Sequence, residues 1–249
     1  MEGLFVERFV ERENLENSFY NKNVLIIGGS GGIGQGIAKV LADEGYCIYA
    51  TYNTQIPNSE FVKIWIKCSM LDEDFDLKSI NVPIDFIVIA SGIESPEMLS
   101  SASPSSLLEM MKITCLSPLN IIQKIINEQD SVKKIVFISS DAGINYQSKT
   151  GLYAYAKSCL NNMVSILSNE LIDRKITVNA IAPGWCNTNM AERVLMNKGM
   201  SIKDIETTKI DGTIIQPIEV GYACLQIIKD SSIHINGQII EISSPSINK

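Results

Sequence analysis

Residues 23–51 read NVLIIGGSGGIGQGIAKVLADEGYCIYAT. Asn23 to Ile27 form a nearly continuous apolar run, the pattern of a strand covered on both faces. The glycine-rich turn Gly28-Gly29-Ser30-Gly31-Gly32-Ile33-Gly34-Gln35-Gly36 follows and leads directly into the helical stretch IAKVLADEG. A second run, YCIYAT at 46–51, closes a strand–turn–helix–strand unit. Glycines in such a turn let the backbone bend sharply, approach a pyrophosphate closely and seat the helix on the strand. The N–H groups at the start of the helix then face the anion.

Outward from this unit, short β-rich runs alternate with longer helical segments. Strands are expected at 23–27, 46–51, 61–67, 85–90, 133–139, 176–182 and 236–242, and helices near 32–44, 104–128, 150–173 and 216–229. The alternation predicts right-handed crossovers and an α/β fold, a Rossmann-type doubly wound parallel sheet of about seven strands flanked by helices. An N-terminal extension at 1–22 and one domain at 23–249 are expected. The extension carries Leu4, Phe5, Phe9 and Val10 among charges, as a short amphipathic arm or a partner contact would. The link 53–60 is too short and too rich in Pro and Asn for a full helix. Residues 187–215, with short helical stretches around Gly199 and Gly212, read as a mobile lid.

The charge balance of 21 basic to 28 acidic residues, a net −7, argues against nucleic-acid binding by bulk electrostatics. His234 is the single histidine, so a multi-histidine metal site cannot be built, and no metal is expected. The six cysteines (47, 68, 115, 159, 186 and 224) form no C-x-x-C pair and suit a reducing compartment. No apolar run approaches the roughly 20 residues that cross a bilayer. Glu2, Glu7 and Glu11 are wrong for a signal peptide, so a cytoplasmic protein with no membrane partner is expected.

The second strand ends Ala50-Thr51-Tyr52-Asn53-Thr54 without a carboxylate. An acid there would bind ribose hydroxyls and repel a 2′-phosphate. Hydroxyl and amide donors such as Thr51 and Asn53 favour NADP, while the lack of an arginine leaves NAD open.

Segment 150–160 places Tyr153 and Lys157 at i and i+4, on one face of a helix. A phenol with a pKa near 10 is a poor acid or base at neutral pH, and a neighbouring ammonium, together with the positive charge of an oxidised nicotinamide, is expected to lower that pKa. Upstream lies Ser139-Ser140-Asp141-Ala142-Gly143, and downstream Pro183-Gly184-Trp185-Cys186-Asn187-Thr188. Tyr155 faces away from Tyr153, Asp141 reads as a solvated loop residue, and His234 as structural. Cys186 has no histidine base that would make it a nucleophile.

Taken together, these segments resemble the short-chain dehydrogenase/reductase family from about residue 23 to 243. The spacing Gly28-x-x-x-Gly32-x-Gly34 matches the family's turn, with Ile27 in place of its usual threonine. Ser140 stands thirteen positions before Tyr153, Val178 to Gly184 match V-N-A-x-x-P-G, and Ile235-Asn236-Gly237-Gln238 match I-x-G-Q. The resemblance implies hydride transfer between a nicotinamide and a ketone or secondary alcohol. Ser140 would bind the carbonyl oxygen, Tyr153 would protonate it, and Lys157 would hold the nicotinamide ribose and bias Tyr153 towards phenolate. Thr114 takes the place of the family's asparagine in a proton relay. The cofactor would lie on Gly28, Ser30, Gly31, Gly32, Ile33 and Gly34, then Thr51 and Asn53, then Cys68 and Ser69, with Ser69 replacing a common aspartate. It would continue over Ala90, Ser91 and Gly92 to Tyr153, Lys157, Pro183, Gly184, Cys186 and Thr188. Similarity to 3-oxoacyl-[acyl-carrier-protein] reductases suggests a small carbonyl or acyl-thioester substrate, NADPH-dependent reduction and a homotetramer or homodimer. The alternative is a cofactor-binding scaffold or regulatory protein with little turnover.

Overall fold

The structure, a computed structural model, describes residues 21–72, 80–146 and 150–244. The expected N-terminal extension falls almost wholly at 1–20, outside the described residues. Seven strands form one sheet in the order β3-β2-β1-β4-β5-β6-β7, every pair parallel. They are β1 (Asn23–Ile27), β2 (Cys47–Tyr52), β3 (Ile64–Lys67), β4 (Phe86–Ile89), β5 (Lys134–Ile138), β6 (Thr177–Pro183) and β7 (Ile239–Ile242). The helices are α1 (Gly32–Asp43), α2 (Pro104–Met111), α3 (Ser117–Glu128), α4 (Gly151–Glu170), α5 (Asn189–Asn197), α6 (Ile202–Glu206) and α7 (Pro217–Lys229).

Side chains along a strand alternate between faces, and β1 separates the two halves of the core accordingly. Leu25 and Ile27 pack with Ile121, Ile122 and Ile125 of α3 and with Leu160 and Val164 of α4. Val24 and Ile26 pack with Ile37 and Leu41 of α1 and with Val220, Cys224 and Ile228 of α7. Both faces are therefore dry, which is why these strands read as unbroken apolar runs rather than alternating ones. On the second face, Gly36 and Gly221 bring α1 and α7 into backbone contact: a Cβ on Gly221 would lie 2.8 Å from the Gly36 carbonyl oxygen.

Among the boundaries that differ from the sequence expectation, three have a clear local cause. The helix expected at 104–128 is divided, because Lys112–Leu116 form a π turn between α2 and α3. The Ser117 N–H reaches back five residues to the Lys112 carbonyl. Pro118, next in line, has no N–H to continue the α-helical ladder, and the wider turn absorbs the break. The edge strand β3 starts at Ile64, not at residue 61, where its pairing with Tyr49 of β2 begins. The last strand begins at Ile239, because Gly237 turns the chain at φ +71° and its N–H is held by the Val178 carbonyl.

Candidate active site

Strand order reverses between β1 and β4, and a cleft of about 970 Å³ opens at the carboxyl ends of the strands around that point. Its walls include Gly28, Ser30, Gly31, Gly32, Ile33 and Gly34 after β1, Thr51 and Asn53 at β2, and Cys68 and Ser69 after β3. Ala90, Ser91 and Gly92 after β4, Tyr153 and Lys157 on α4, and Thr188 complete the side chains expected there. Pro183, Gly184 and Cys186, also expected there, are not among the lining residues, which resume at Asn187. Cys186 is packed in the core, and burial together with Glu219 pushes its thiol up to about 12, far from a thiolate.

The glycine turn is held by the neighbouring strand. The Gly28 N–H donates to Thr51 Oγ1 at 2.8 Å, and the Ser30 N–H donates to the Thr51 carbonyl at 3.2 Å. Gly28 has φ +80°, and a Cβ there would meet the Ser91 nitrogen at 2.6 Å, so glycine is required by both conformation and space. A Cβ on Gly34 would strike the Gly28 carbonyl oxygen. Gly32 faces Thr188 across the cleft, where a Cβ would come within 2.8 Å of Thr188 Cγ2, and a Cβ on Gly92 would have only Lys157 Nζ nearby, at 3.7 Å. No side chain caps the first turn of α1, whose N-cap is Gly31. Bare backbone on both sides of the cleft and uncapped N–H groups at one end fit an extended dinucleotide with a central pyrophosphate.

Tyr153 and Lys157 are placed by contacts between α4 and the loop after β5. A Cβ on Gly143 would lie 2.8 Å from backbone and side-chain atoms of Lys157, so this glycine lets the loop lie flat on the helix. Asn161, one turn further along α4, accepts from Ser139 Oγ at 2.6 Å and donates to the Gly143 carbonyl at 3.2 Å. Asn161 is absent from the sequence expectation; its i+4 spacing from Lys157 is the signal that was available. Lys157, 4% exposed, donates from Nζ to the Ile138 carbonyl at 2.8 Å, and the same atom lies 5.8 Å from the centre of the Tyr153 ring.

Within the protein alone, burial raises the Tyr153 pKa to about 12; its hydrogen bond with Ser140 lowers it, and Asp141 and Glu94 raise it further. Burial also lowers the Lys157 pKa to about 8. The bias towards phenolate expected from the sequence draws on the charge of a bound oxidised nicotinamide as well as on Lys157. Asp141 is no solvated loop residue: burial raises its pKa, and its Oδ1 accepts from Ser140 Oγ at 3.2 Å. Thr114, 1% exposed, lies in the π turn, and its hydroxyl donates to Met110 Sδ at 3.6 Å. Tyr155 is exposed, as its place on α4 predicts.

A further cleft residue, Arg193, and its acidic partner Glu94 went unnoticed in the sequence. Glu94 follows Gly92 and Ile93 after β4, and its Oε1 lies 3.6 Å from Nε of Arg193, a cleft residue on α5. No metal-binding cluster of three His, Cys, Asp or Glu residues occurs among the described residues, and none of their helices is long and apolar enough to cross a membrane.

Residues 76–244 match the family model described as Enoyl-(Acyl carrier protein) reductase. The uncharacterized oxidoreductase YmfI of Bacillus subtilis (strain 168) is 30% identical over 241 residues, covering 90% of this chain and 98% of that protein. The 3-oxoacyl-[acyl-carrier-protein] reductase FabG of Chlamydia trachomatis is 27% identical, covering 89% and 96%. A solved structure of ElxO with NADP bound superposes with a TM-score of 0.77 at 21% identity, covering 89% and 97%. The chain belongs to the short-chain dehydrogenase/reductase family, oxidoreductases that act on CH–OH and C=O groups with NAD(P).

Proposed function

We propose that the protein is an NADPH-dependent carbonyl reductase acting on a small-molecule ketone, with Tyr153 as the general acid. The observation that carries this reading is that Tyr153 and Lys157 line a glycine-walled cleft, with Ser140 hydrogen-bonded to Tyr153. NADPH, when bound, supplies the hydride that reduces a carbonyl carbon. Gly28, Ser30, Gly31, Gly32, Ile33 and Gly34 hold its pyrophosphate. Asn53, on the cleft wall, would donate to the adenosine 2′-phosphate, while Thr51 spends its hydroxyl on the glycine turn. Cys68, Ser69, Ala90, Ser91 and Gly92 bound the adenosine side, and Thr188 bounds the nicotinamide end, backed by Pro183, Gly184 and Cys186.

Ser140 donates to the substrate carbonyl oxygen and fixes it within reach of Tyr153. The phenol passes its proton to that oxygen as negative charge builds there, and a site in which the phenolate is disfavoured is suited to giving the proton up to a stronger base. Lys157 binds the nicotinamide ribose and compensates the phenolate once the proton has left. Thr114 shapes the π turn beside these residues and is a positioning residue rather than a link in a proton chain. Reduction is the favoured direction, since oxidation would need Tyr153 ionised beforehand.

The substrate belongs to the ketones, with 3-oxoacyl thioesters suggested by similarity to FabG. Residues 187–215 act as the lid on a domain spanning 23–249, and the molecule is a cytoplasmic homo-oligomer. NADPH oxidation measured against a panel of β-keto thioesters and small ketones tests the reading. Parent turnover that disappears in Tyr153→Phe supports it, and equal rates in the two proteins sink it.

A further inference from the structure

A second cavity lies at the opposite end of the sheet from the cleft. It holds about 390 Å³ and is lined at the amino ends of the strands by Lys22, Lys133, Lys134 and Lys175, together with Asp85 and Asp230. Four ammoniums against two carboxylates leave this lining basic, in a chain whose net charge is −7. Both carboxylates are already engaged. Asp85 holds Lys22 at 3.2 Å and accepts from the Asn23 N–H at 2.9 Å. Asp230 accepts from the N–H and the hydroxyl of Ser232, at 3.2 and 2.9 Å. Lys133, Lys134 and Lys175 have no hydrogen bond and no ion pair through their side chains among the described residues.

Lys134 marks the cavity as a site. It opens β5 and pairs with Phe86 of β4 and Thr177 of β6. Val136 and Ile138, two and four places on, pack on the α1 and α7 side of the sheet, so alternation puts Lys134 on that face too. Asp230, which ends α7, lines the same cavity. Lys134 is only 8% exposed; burial lowers its pKa, and Asp230 acts in the other direction. A buried ammonium without an ion pair is costly, and proteins seldom keep one. The carbonyl end of α7 offers about half a negative charge, which leaves most of the excess uncompensated.

We infer that this cavity is a second ligand site, which takes a phosphate group on Lys133, Lys134 and Lys175. A phosphate dianion matches the charge of the lining, and its oxygens can accept from three ammoniums at once. A carboxylate brings half that charge and only two oxygens. The space is larger than a phosphate alone fills, and Ile233, exposed in the cavity wall, offers an apolar surface to the body of an ester. No residue lines both this cavity and the cleft, so the inference stands independently of the carbonyl-reductase reading.

Calorimetry with phenyl phosphate, inorganic phosphate and benzoate at about 150 mM NaCl tests it, on the protein with NADPH present to occupy the cleft. Both phosphates are expected to bind one per chain with Kd below about 1 mM, and benzoate at least about tenfold more weakly. Lys134→Met weakens the phosphates at least about tenfold, the worth of one charge-assisted hydrogen bond. Lys133→Ser/Lys175→Ser does the same, and it alters only exposed side chains, so the fold is kept. Lys39→Ser, which removes an exposed lysine paired with Asp43 on α1, leaves the binding unchanged, as does Gly34→Ala in the cleft. Tighter binding of phenyl phosphate assigns the site to an ester and equal binding to free phosphate, and either result supports it. Phosphate binding weaker than about 10 mM, binding that both lysine variants retain, binding lost in Gly34→Ala, or benzoate bound as tightly as phosphate overturns it.

Discussion

Replacing Lys157 with methionine removes an ammonium from the interior while keeping an unbranched side chain of similar length. The perturbation isolates what the fold gives up to hold that charge. Burial lowers the Lys157 pKa from 10.5 to about 8. At about 1.4 kcal/mol per pH unit, the penalty on the charged form is about 3 kcal/mol at neutral pH. The methionine leaves the Ile138 carbonyl without the donor it now has at 2.8 Å, which costs about 1 kcal/mol. The net gain is about 2 kcal/mol, or roughly 4–8 °C in Tm for a chain of this size. The charged form is the disfavoured one, so the penalty is fully present below pH 8 and fades as pH rises from about 8 towards 10.5. Parent and variant should therefore converge over that window, since the parent gains stability there and the methionine variant has no such group. Tyr153, raised to about 12, loses its proton later and affects both proteins in the same direction. The assay is thermal unfolding of both proteins at pH 7 and pH 10, beside NADPH oxidation. A methionine variant that melts at or below the parent at pH 7, or a difference that does not shrink by pH 10, would refute the reasoning. The same variant should lose most of its activity: stability and function are set against each other at this residue.

Tyr153→Phe should lower kcat/KM for ketone reduction by about 10²- to 10⁴-fold with NADPH affinity unchanged, because it removes only the proton donor; stopped-flow rates and fluorescence titration read the two quantities. Gly34→Ala should weaken NADPH binding at least about tenfold, since the added Cβ meets the Gly28 carbonyl and forces the turn off the geometry that faces the pyrophosphate. Gly36→Ala places a Cβ against the Pro217 backbone, with Pro217 Cβ at 2.7 Å, and prises α1 from α7. Urea unfolding should show a loss of about 1–3 kcal/mol, as for overpacking elsewhere. Thr114→Val should change kcat by less than about threefold, because the hydroxyl it removes is bonded to Met110 Sδ; a loss of tenfold or more, measured under saturating substrate, would place Thr114 in the proton path.

Much of the site could be read before any coordinate was known. The turn from Gly28 to Gly36 announces itself because close backbone approach leaves no alternative to glycine at Gly28 and Gly34. Tyr153 and Lys157 are visible because helical periodicity turns an i, i+4 spacing into one face. Glu94 was illegible for the opposite reason. It lies in a loop with no period, and its meaning depends on Arg193, ninety-nine positions away in the chain. Asp141 was misread as solvated for the same cause: burial is set by what packs above a residue, not by its neighbours in sequence.

The alternation of apolar runs and amphipathic helices determined by itself that a parallel, doubly wound sheet would form, since only covering helices on both faces can bury strands that carry apolar side chains on both sides. The order of residues along the chain also placed the glycine turn between the first strand and the first helix. Tertiary structure alone decided the electrostatic surroundings of the site. Burial moves the pKa of Tyr153 to about 12 and that of Lys157 to about 8, and Asp141 and Glu94 add charge of the wrong sign for the phenolate. Desolvation and Coulomb energy depend on distance through space, and that information enters only when the chain has folded.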